Sequence, residues 1–521
     1  MPKRRSKLLL KVFLSLLVLL FAFLCFERLR GQLSLASYKR KLLDQGEKLT
    51  PQDFRSSVAD ADNGAPAAIA AIGRLQPGLV LPHSYPPRMK MVRSGRAVVC
   101  FRENEWVEIG TFRNEEWVNE KVTNRWDQVA ADLSSNATVL AEIRAALAKP
   151  VLNNQLDLAE GNKMKFLHLS LAKALTQWQG AEIQLALHEG RTHDALEPLL
   201  AQIQLPRLLA EDPIVISELL RIAIAAIARV DTWEALQAEG WSDEDLAAMQ
   251  KAWESQEFIT NLARTLEGER VLCDVSFDSV RGSNQDAYDL LFGWQEMLAR
   301  GFDPDTGKWN SPELPFNERM GRFLKKQIYC RIWRFTWSYQ NQRHDLAANQ
   351  QLIDIVRAAV KEKSYASIEK DTSELFQKSV SKGFYDKLRH PYSSVDAISK
   401  TPLKALRAET ERSLVISAIA LKRYALRHGN YPESLDALVP GFLSAVPTDY
   451  MNGKPVKYRR NSDGSFTLYS VGEDGKDDGG DLSLPVDKPN ARQLWLRKDF
   501  VWPAPATPEE VAAYRQASAE E

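Results

Sequence analysis

Apolar residues form a nearly unbroken run from position 8 to position 26, which only Lys11 and Ser15 interrupt. At a rise of about 1.5 Å per residue, a helix over this run would be about 28 Å long, close to the thickness of the hydrocarbon core of a bilayer. Lys11 lies near the start of the run, where its long side chain can reach the polar interface. The pattern therefore predicts a transmembrane helix near the N-terminus.

The charges that precede this helix indicate its orientation. Basic residues before a first helix favour an N-terminus in the cytoplasm, and four of them lie here: Lys3, Arg4, Arg5 and Lys7. A cleaved signal peptide is the alternative, with Ser34-Leu35-Ala36 as a small-residue cleavage site. However, the run is longer than the apolar core of a signal peptide, and that site lies well past its end. We therefore expect an uncleaved, single-pass signal anchor, with the bulk of the chain outside the cytoplasm.

The long middle part of the chain has mostly helical periodicity. Residues 31–90 have the composition of a juxtamembrane connector, and 97–101 and 106–112 are strand-like. From Trp126 onward, apolar residues recur every three to four positions, which predicts helices. These predicted helices lie near 126–148, 163–188, 192–204, 213–229, 243–266, 285–299, 317–340, 344–363 and 366–380.

The segment 213–228 is apolar on almost every side, which raises the alternative of a second transmembrane helix. It is shorter than a membrane span, and it carries the charged residues Glu218 and Arg221. We therefore interpret it as a buried central helix of the middle region.

Near the C-terminus, a helical pattern gives way to a strand pattern. Apolar residues from 401 to 427 keep helical spacing, and Tyr431-Pro432 prevents simple continuation of the helix. Two strand-like segments, 456–459 and 465–471, then flank the turn-forming tetrad Asn461-Ser462-Asp463-Gly464. The pattern predicts one long amphipathic helix followed by a small antiparallel hairpin.

Three short motifs occur together in this region: Tyr431-Pro432, then Pro447-Thr448-Asp449 ahead of Gly453-Lys454-Pro455-Val456-Lys457-Tyr458, and finally Tyr469-Ser470-Val471-Gly472-Glu473-Asp474-Gly475. In this combination, residues 401–484 resemble the globular head of the major pseudopilins of type II secretion, the subunits of a short periplasmic pseudopilus. The resemblance implies a small α+β head and a periplasmic location. The motif of prepilin cleavage does not precede the first apolar run, so we interpret the segment as a pseudopilin-like unit within a larger protein.

In the family that the segment resembles, the last loop binds calcium. Four carboxylates lie close together in this loop, among several glycines: Asp474, Asp477, Asp478 and Asp481. Calcium takes several carboxylate and carbonyl oxygens in a flexible geometry, and glycines allow a loop to curl so that such oxygens converge. The resemblance implies a calcium site at these four residues, with Asp474 the best-matched ligand. The alternative is a solvated turn without a metal.

Charge and cysteine content exclude some functions and leave others open. Lys plus Arg and Asp plus Glu both number 68, so no basic excess indicates a nucleic-acid partner. The four cysteines have no metal-binding spacing: Cys25, Cys100, Cys273 and Cys330. Cys100, Cys273 and Cys330 would be extracytoplasmic, so one disulfide among them and three reduced thiols both remain open.

Candidate catalytic motifs are weak. His188 and His193 are separated by five positions, whereas a metalloprotease helix needs four, and Gly190 lies between them. Ser-x-x-Lys occurs three times, but the Lys-Thr-Gly that completes such a site in penicillin-binding enzymes is missing: Ser170/Lys173, Ser367/Lys370 and Ser379/Lys382. No site residue is therefore predicted to be catalytic, and a role without catalysis is favoured.

Together, these patterns predict a mainly α chain with a transmembrane anchor, a large α-helical middle domain and a small α+β pseudopilin-like domain. The predicted divisions are 1–30 for the cytoplasmic stub and anchor, 31–90 for the connector, 91–400 for the helical domain, 401–484 for the pseudopilin-like domain and 485–521 for the tail. The expected function is an interaction or scaffold protein of a bacterial inner membrane, with envelope, secretion or pilus proteins as partners. The alternative is an envelope hydrolase of glycans or peptides with its site in the helical domain.

Overall fold

The computed structural model confirms that the chain is mostly helical. The predicted tail falls partly outside the residues that the structure describes, since 485–493 are among the others. The described residues are 2–55, 61–82, 84–103, 105–113, 116–123, 125–293, 302–303, 308–309, 316–380, 383–484 and 494–520.

The α-helices are Pro2–Asp44, Ala65–Ile72, Trp126–Leu147, Leu167–His188, Leu196–Gln204, Val215–Leu236, Asp243–Glu254, Ile259–Gly282, Asn284–Tyr288, Phe316–Leu324, Cys330–Thr336, Ser338–Glu362, Glu369–Val380, Phe384–Arg389, Val395–Ile398, Thr401–His428 and Pro508–Glu520. The strands are Lys90–Arg93, Arg96–Val98, Glu105–Arg113, Glu116–Thr123, Phe302–Asp303, Lys308–Trp309, Thr448–Asp449, Lys454–Pro455, Lys457–Arg460, Phe466–Ser470, Phe500–Val501 and Ala504–Pro505. A π-helical turn, Lys325–Tyr329, joins Phe316–Leu324 to Cys330–Thr336.

The N-terminal helix, Pro2–Asp44, is one continuous element of 43 residues, which we call the anchor helix. Within the described residues, one helix is long and apolar enough to cross a membrane, and it is this one, over Leu10–Asp44. Its most apolar stretch has a mean hydropathy of 2.3 and is 6% buried. The predicted N-terminal helix of membrane-spanning length is therefore confirmed. It also continues well past the apolar run, where Leu35 and Leu42 are buried against the rest of the protein.

The middle part of the chain contains the predicted helices with shifted ends. The helix predicted at 213–229 spans Val215–Leu236, and its buried ion pair between Glu218 and Arg221 (2.5 Å) confirms the buried central helix. The break predicted between 340 and 344 lies instead at Trp337, whose φ of −115° departs from helical geometry where its ring packs on Tyr385. The helix predicted at 285–299 lies partly outside the described residues.

One large hydrophobic cluster includes residues from both sides of position 400. In Thr401–His428, the whole stretch 414–421 is buried, because the helix packs against Val215–Leu236 and Asp243–Glu254 and also against strand Phe466–Ser470. The amphipathic pattern predicted there is therefore wrong for this stretch, which has apolar or small residues on every side. The C-terminal segment shares its core with the helical region.

The predicted hairpin is present and belongs to a larger sheet. Lys457–Arg460 pairs antiparallel with Phe466–Ser470, and Phe500–Val501 pairs antiparallel on the other edge. A few residues later, Ala504 pairs in parallel with Arg96, in a second sheet. All four cysteines are free thiols, so no disulfide links these parts.

Candidate functional site

The acidic loop predicted to bind calcium begins where strand Phe466–Ser470 ends, and it curls over the segment 497–499. Gly472 has a φ of +70°, in the left-handed region that favours glycine. A Cβ atom at Gly472 would lie 2.3 Å from the carbonyl oxygen of Lys498, so a larger residue would push the two segments apart. The close approach of backbone to backbone at Gly472 therefore fixes the path of the loop.

Asp499 lies beneath this curl and is fully buried. Its Oδ2 accepts hydrogen bonds from the backbone N–H groups of Gly480 (2.7 Å) and Asp481 (2.9 Å). Its Oδ1 is buried and accepts no hydrogen bond within the described residues. Burial raises the pKa of this carboxyl above its usual value, although the amide donors oppose the rise. The acidic loop is therefore organised around a buried carboxylate with one unused oxygen.

Asp499 was not among the residues predicted from sequence. It lies 18 positions after Asp481, beyond the cluster of glycines and aspartates from which the calcium site is predicted. A weak signal is its position directly before the apolar triplet Phe500-Val501-Trp502, which is strand-like. A carboxylate at the start of a strand can be placed in a site only once the pairing partner of the strand is known.

Two of the four predicted ligands form ion pairs with lysines. Asp477 accepts a hydrogen bond from the Tyr469 hydroxyl (2.9 Å) and pairs with Lys457 (3.0 Å), which lowers its pKa. Asp481 pairs with Lys498 (2.8 Å), and this hydrogen bond is the main reason that its pKa falls to about 2. Both carboxylates are therefore held as anions at the surface of the loop.

The other two predicted ligands lie in the same curl. Asp474 caps its own turn, because its Oδ1 accepts a hydrogen bond from the N–H of Lys476 (3.0 Å). Asp478 lies close to Asp499, and its backbone amide helps to oppose the rise in the pKa of that carboxyl. Among the described residues, no group of three or more histidine, cysteine or acidic side chains is gathered as a metal site would require. The four aspartates thus share one loop, but each of them has a different local partner.

Asp449, from the Pro447-Thr448-Asp449 motif, links the start of the loop to the long helix. It is buried, and it accepts hydrogen bonds from Val471 N (2.9 Å), Met451 N (3.0 Å) and the Ser470 hydroxyl (2.9 Å). Burial raises its pKa. Its Oδ1 also lies 3.5 Å from the Thr410 hydroxyl, so this carboxylate joins its own turn, the end of strand Phe466–Ser470 and the helix Thr401–His428.

The weak catalytic motifs that fall within the described residues do not assemble into sites. His188 Nδ1 donates a hydrogen bond to Phe101 O (2.8 Å) and the ring stacks on Trp126, whereas His193 faces Asp245. Ser170 and Ser367 each donate their hydroxyl proton to a carbonyl three residues earlier in the chain. The side chains of the third pair, Ser379 and Lys382, lie outside the described residues.

One cleft of about 250 Å³ contains acidic residues and bears on the hydrolase alternative. Asp157, Glu211 and Asp212 line it, but each already has a partner. Asp157 pairs with Arg55 (3.2 Å) and Glu211 with Arg264 (3.0 Å), and Asp212 contacts His168 (2.9 Å) in a buried pair. These acids therefore stabilise the walls of the cleft, and this arrangement does not favour acid–base catalysis.

Comparison of the chain with protein-family models, with curated protein sequences and with solved structures finds no match.

Proposed function

We propose that this protein is a membrane-anchored scaffold, which holds its helical body and its pseudopilin-like C-terminal unit at the periplasmic face of a bacterial inner membrane. One observation carries the proposal: the anchor helix passes without a break from its exposed apolar half into a half that is packed against the body. A protein built in this way keeps its body at a fixed height and orientation relative to the bilayer. Such a fixed position suits the docking of envelope, secretion or pilus proteins.

The contacts of the anchor helix support a rigid junction. Gly31 lies so close to the helix Ser338–Glu362 that a Cβ atom there would be 2.9 Å from Gln340 Cγ. Glu27 is buried and accepts a hydrogen bond from the Gln340 amide (2.9 Å). Further along, Lys39 pairs with Asp274 (2.5 Å). Side-chain contacts therefore continue along several turns of the helix.

The end of the anchor helix is also fixed to the body. Glu47, three residues past Asp44, pairs with Arg357 (2.5 Å) and with the fully buried Arg270 (3.1 Å). Hydrogen bonds from Arg357 are the main influences that oppose burial and hold the pKa of Glu47 below its usual value. Removing one partner of a buried ion pair such as Glu47–Arg270 destabilises a protein much more than removing one partner of a surface pair. The junction is thus stabilised at both ends.

Site-specific photo-crosslinking in native membranes tests the scaffold. A photoreactive residue at Asp463, which is exposed at the tip of the hairpin, reports on partners of the C-terminal unit, and one at the exposed Glu160 is the matched control. We expect adducts with secretion or pilus components at Asp463 and not at Glu160. The same adducts at both positions, or adducts only with an unrelated envelope enzyme, would refute a docking role for the hairpin.

We also propose that the acidic loop binds calcium weakly, as the resemblance implies. The buried Oδ1 of Asp499, which has no described partner, is the observation that favours a cation here. Asp474, Asp477, Asp478 and Asp481 would supply further oxygens, and calcium would neutralise the repulsion among them. Extracellular sites of this kind work at millimolar calcium.

Thermal unfolding tests the calcium proposal in the full-length protein, because the C-terminal unit shares its core with the body. At a calcium concentration ten times the dissociation constant, binding would stabilise the folded state by about 1.4 kcal/mol, which raises Tm by about 1 °C in a chain of 521 residues. Asp474→Ala should remove this rise, whereas Asp463→Ala, in a neighbouring turn, should keep it. Identical melting curves in calcium and in chelator would refute the calcium site.

A further inference from the structure

The helical segment 316–335 exposes a row of large apolar side chains to solvent. Their exposed fractions range from 38% to 70%. In the helix Phe316–Leu324, no residue is buried. The row, which we call the apolar stripe, consists of Phe316, Met320, Phe323, Leu324, Ile328, Ile332 and Phe335. A continuous apolar surface of this kind marks a site of contact with a partner or a membrane.

The backbone keeps this stripe on one side of the helix. Members of the stripe are mostly four positions apart, and at 3.6 residues per turn each such step rotates the side chain by about 40°. The π-helical turn Lys325–Tyr329 has hydrogen bonds between residues five apart, so it holds more residues per turn and rotates them back. Ile328 and Ile332 therefore remain in line with Met320 and Leu324.

The stripe ends against the anchor helix. The ring centroid of Phe335 lies 6.5 Å from that of Phe21, which belongs to the apolar run, and Arg28 donates a hydrogen bond to Phe335 O (3.0 Å). Phe21 is about 7.5 Å along the helix before Phe26, the last residue of the run. The C-terminal end of the stripe, at Phe335, thus lies near the boundary of the hydrocarbon core, between the levels of Phe21 and Arg28 of the anchor helix.

The same segment is strongly basic. Residues 316–335 contain one acidic residue, Glu318, and six basic ones: Arg319, Arg322, Lys325, Lys326, Arg331 and Arg334. Helices with one apolar face and many Lys and Arg residues lie in the plane of a bilayer interface and are attracted to anionic lipids. The combination of an apolar face with positive charge therefore favours a lipid surface over an apolar protein partner.

Exposed aromatic residues lie beside the stripe. Phe384 is 83% exposed and Tyr385 is 45% exposed, both on the short helix Phe384–Arg389. The Tyr385 ring packs edge-on against Trp337 (6.4 Å), directly after the segment that carries the stripe. Aromatic side chains are enriched where proteins meet the headgroup region.

A basic cleft of about 270 Å³ opens between the anchor helix and the body. Arg30, Arg343, Arg389 and Gln340 line it, and the stacked rings of His344 and His390 complete it (4.6 Å). The Nε atoms of Arg343 and Arg389 are buried and have no hydrogen-bond partner within the described residues. The acidic neighbours are Glu27, which pairs with Arg30, and Asp386, which pairs with Arg389.

The edge of the cleft nearest the apolar run, at Arg30, lies at the height of lipid headgroups. Arg30 is about 6 Å beyond Phe26 along the helix axis. The headgroup layer on each side of the hydrocarbon core is about 5–7 Å thick. Guanidinium groups bind phosphate oxygens with strong, charge-assisted hydrogen bonds. A lipid phosphate would thus reach Arg30, at the edge of the cleft, without leaving its layer.

We infer that the apolar stripe and the basic cleft together form a face that lies on the surface of an anionic phospholipid bilayer, with the stripe at the boundary of the acyl chains and the cleft on a lipid phosphate. This inference rests on the membrane anchoring proposed above. It adds a second membrane contact, through the body itself, which would prevent the body from tilting about its anchor.

Nitroxide labels in full-length protein test the position of the stripe. The protein is reconstituted in vesicles of phosphatidylethanolamine and phosphatidylglycerol, with a label at Ile328→Cys or, as a control of similar exposure, at Leu426→Cys. A label at Leu16→Cys, in the apolar run, reports on the anchor, and protein without an added cysteine gives the background. We expect collisions with oxygen to exceed those with a water-soluble nickel complex several-fold at positions 16 and 328, and the reverse at 426.

The outcomes separate the two proposals. A water-exposed label at position 16 would refute the anchor itself. A lipid-exposed label at position 16 with a water-exposed label at 328 would refute only the second membrane contact. The double variant Phe323→Ser/Leu324→Ser should make the label at 328 water-exposed while the label at 16 stays in lipid. If 328 stays lipid-exposed in that variant, the stripe does not hold the segment at the bilayer.

Melting of the detergent-solubilised protein tests the cleft. Added phosphatidylglycerol should raise Tm by several degrees relative to phosphatidylcholine, and Arg343→Gln/Arg389→Gln should abolish the difference. Arg427→Gln, on the surface near Asp243, is the matched control and should preserve it. If inorganic phosphate alone gives the full rise, the cleft is a site for a free anion and the lipid assignment is wrong. The absence of a rise with either compound would refute the cleft as a phosphate site.

Discussion

In the helical body, Asp132 and Glu234 are buried and each holds several backbone amides, whereas Asp477 and Asp481 of the acidic loop pair with lysines near the surface. Asp132 accepts hydrogen bonds from Leu79 N, Val80 N and Leu81 N, at 2.8–3.0 Å. Glu234 accepts from Met89 N (2.6 Å) and Cys100 N (3.0 Å). In the loop, by contrast, the pairs of Asp477 and Asp481 involve lysines whose side chains are more than a third exposed.

This difference separates acidic residues that stabilise the fold from acidic residues that remain available to bind a cation. A buried carboxylate that satisfies several amides cannot be removed without leaving those donors unpaired, which costs about 1–3 kcal/mol for each group. A surface pair contributes about 0–1 kcal/mol, so its members can exchange partners at little cost. The body therefore uses its acids to fix irregular segments, and the loop keeps acids that a cation can recruit.

The largest effect is expected for Asp132→Ala, which removes the acceptor for three amides. We expect a loss of about 2 kcal/mol or more in the free energy of unfolding, because the buried amides of Val80 and Leu81 and the part-buried amide of Leu79 lose their acceptor. The matched variant Asp474→Ala, in the loop and without calcium, should unfold at nearly the same urea concentration as the original protein. Urea unfolding followed by tryptophan fluorescence measures both. Equal losses in the free energy of unfolding for the two variants would show that the carboxylates of the body and of the loop contribute equally to stability.

A pH-dependent effect is expected from Glu234. Burial raises the pKa of this carboxyl from 4.5 to about 8. Between these values the folded protein holds a proton that the unfolded chain has released, so this contribution to stability falls as pH rises from about 4.5 to 8. Glu234→Gln should reduce the decrease in the urea midpoint between pH 5 and pH 8. Some decrease should remain, because burial also raises the pKa of Asp345 to about 7.

The exposed Glu142 provides the control for this experiment. Glu142→Gln should leave the pH dependence of the urea midpoint unchanged. If Glu234→Gln and the original protein show parallel profiles, the Glu234 carboxyl is ionised in the folded state throughout this range. The body and the loop would then hold their acids in the same charge state.

The smallest effect on stability is expected for Lys498→Ala in the loop. Without calcium, we expect its melting temperature to match that of the original protein, since the pair with Asp481 is at the surface. With calcium, the freed Asp481 should strengthen the response, so half-maximal stabilisation should occur at a lower calcium concentration. A weaker response in this variant would mean that Lys498 supports the loop instead of competing with the cation.

Local patterns were sufficient to predict the anchor, most helices of the body and the hairpin at 457–470. The spacing of apolar residues decides these elements, and the turn tetrad at 461–464 fixes the hairpin. Long-range pairing could not be predicted in the same way. The positions of Asp499 and of the strand Phe500–Val501 depend on pairing with Phe466–Ser470, and those of Asp132 and Glu234 depend on which distant amides reach them. A single carboxylate in a helix carries no sequence signal for such a role.

The apolar stripe shows a second reason for incomplete prediction. The sequence predicts a helix at 317–340, but its periodicity fits a helix that is packed against a core as well as one that lies on a membrane. Only the structure distinguishes the two, because it leaves Met320 and Ile328 exposed while Cys330 and Trp333 are buried. The acidic loop is the opposite case, because its aspartates and glycines are sufficient to predict a candidate metal site from the sequence alone.

Two short strands after position 499 link the two three-stranded sheets of the described residues. Phe500–Val501 pairs with the hairpin, and Ala504–Pro505 pairs with Arg96–Val98, about four hundred residues earlier. The Trp233 indole N–H also donates to Pro503 O (2.7 Å) from within the body. During synthesis, the body cannot complete its core until these final residues have left the ribosome. A nascent chain would therefore expose apolar surface to chaperones and proteases until residues 500–505 have been synthesised, and a product truncated before them would remain a substrate for degradation.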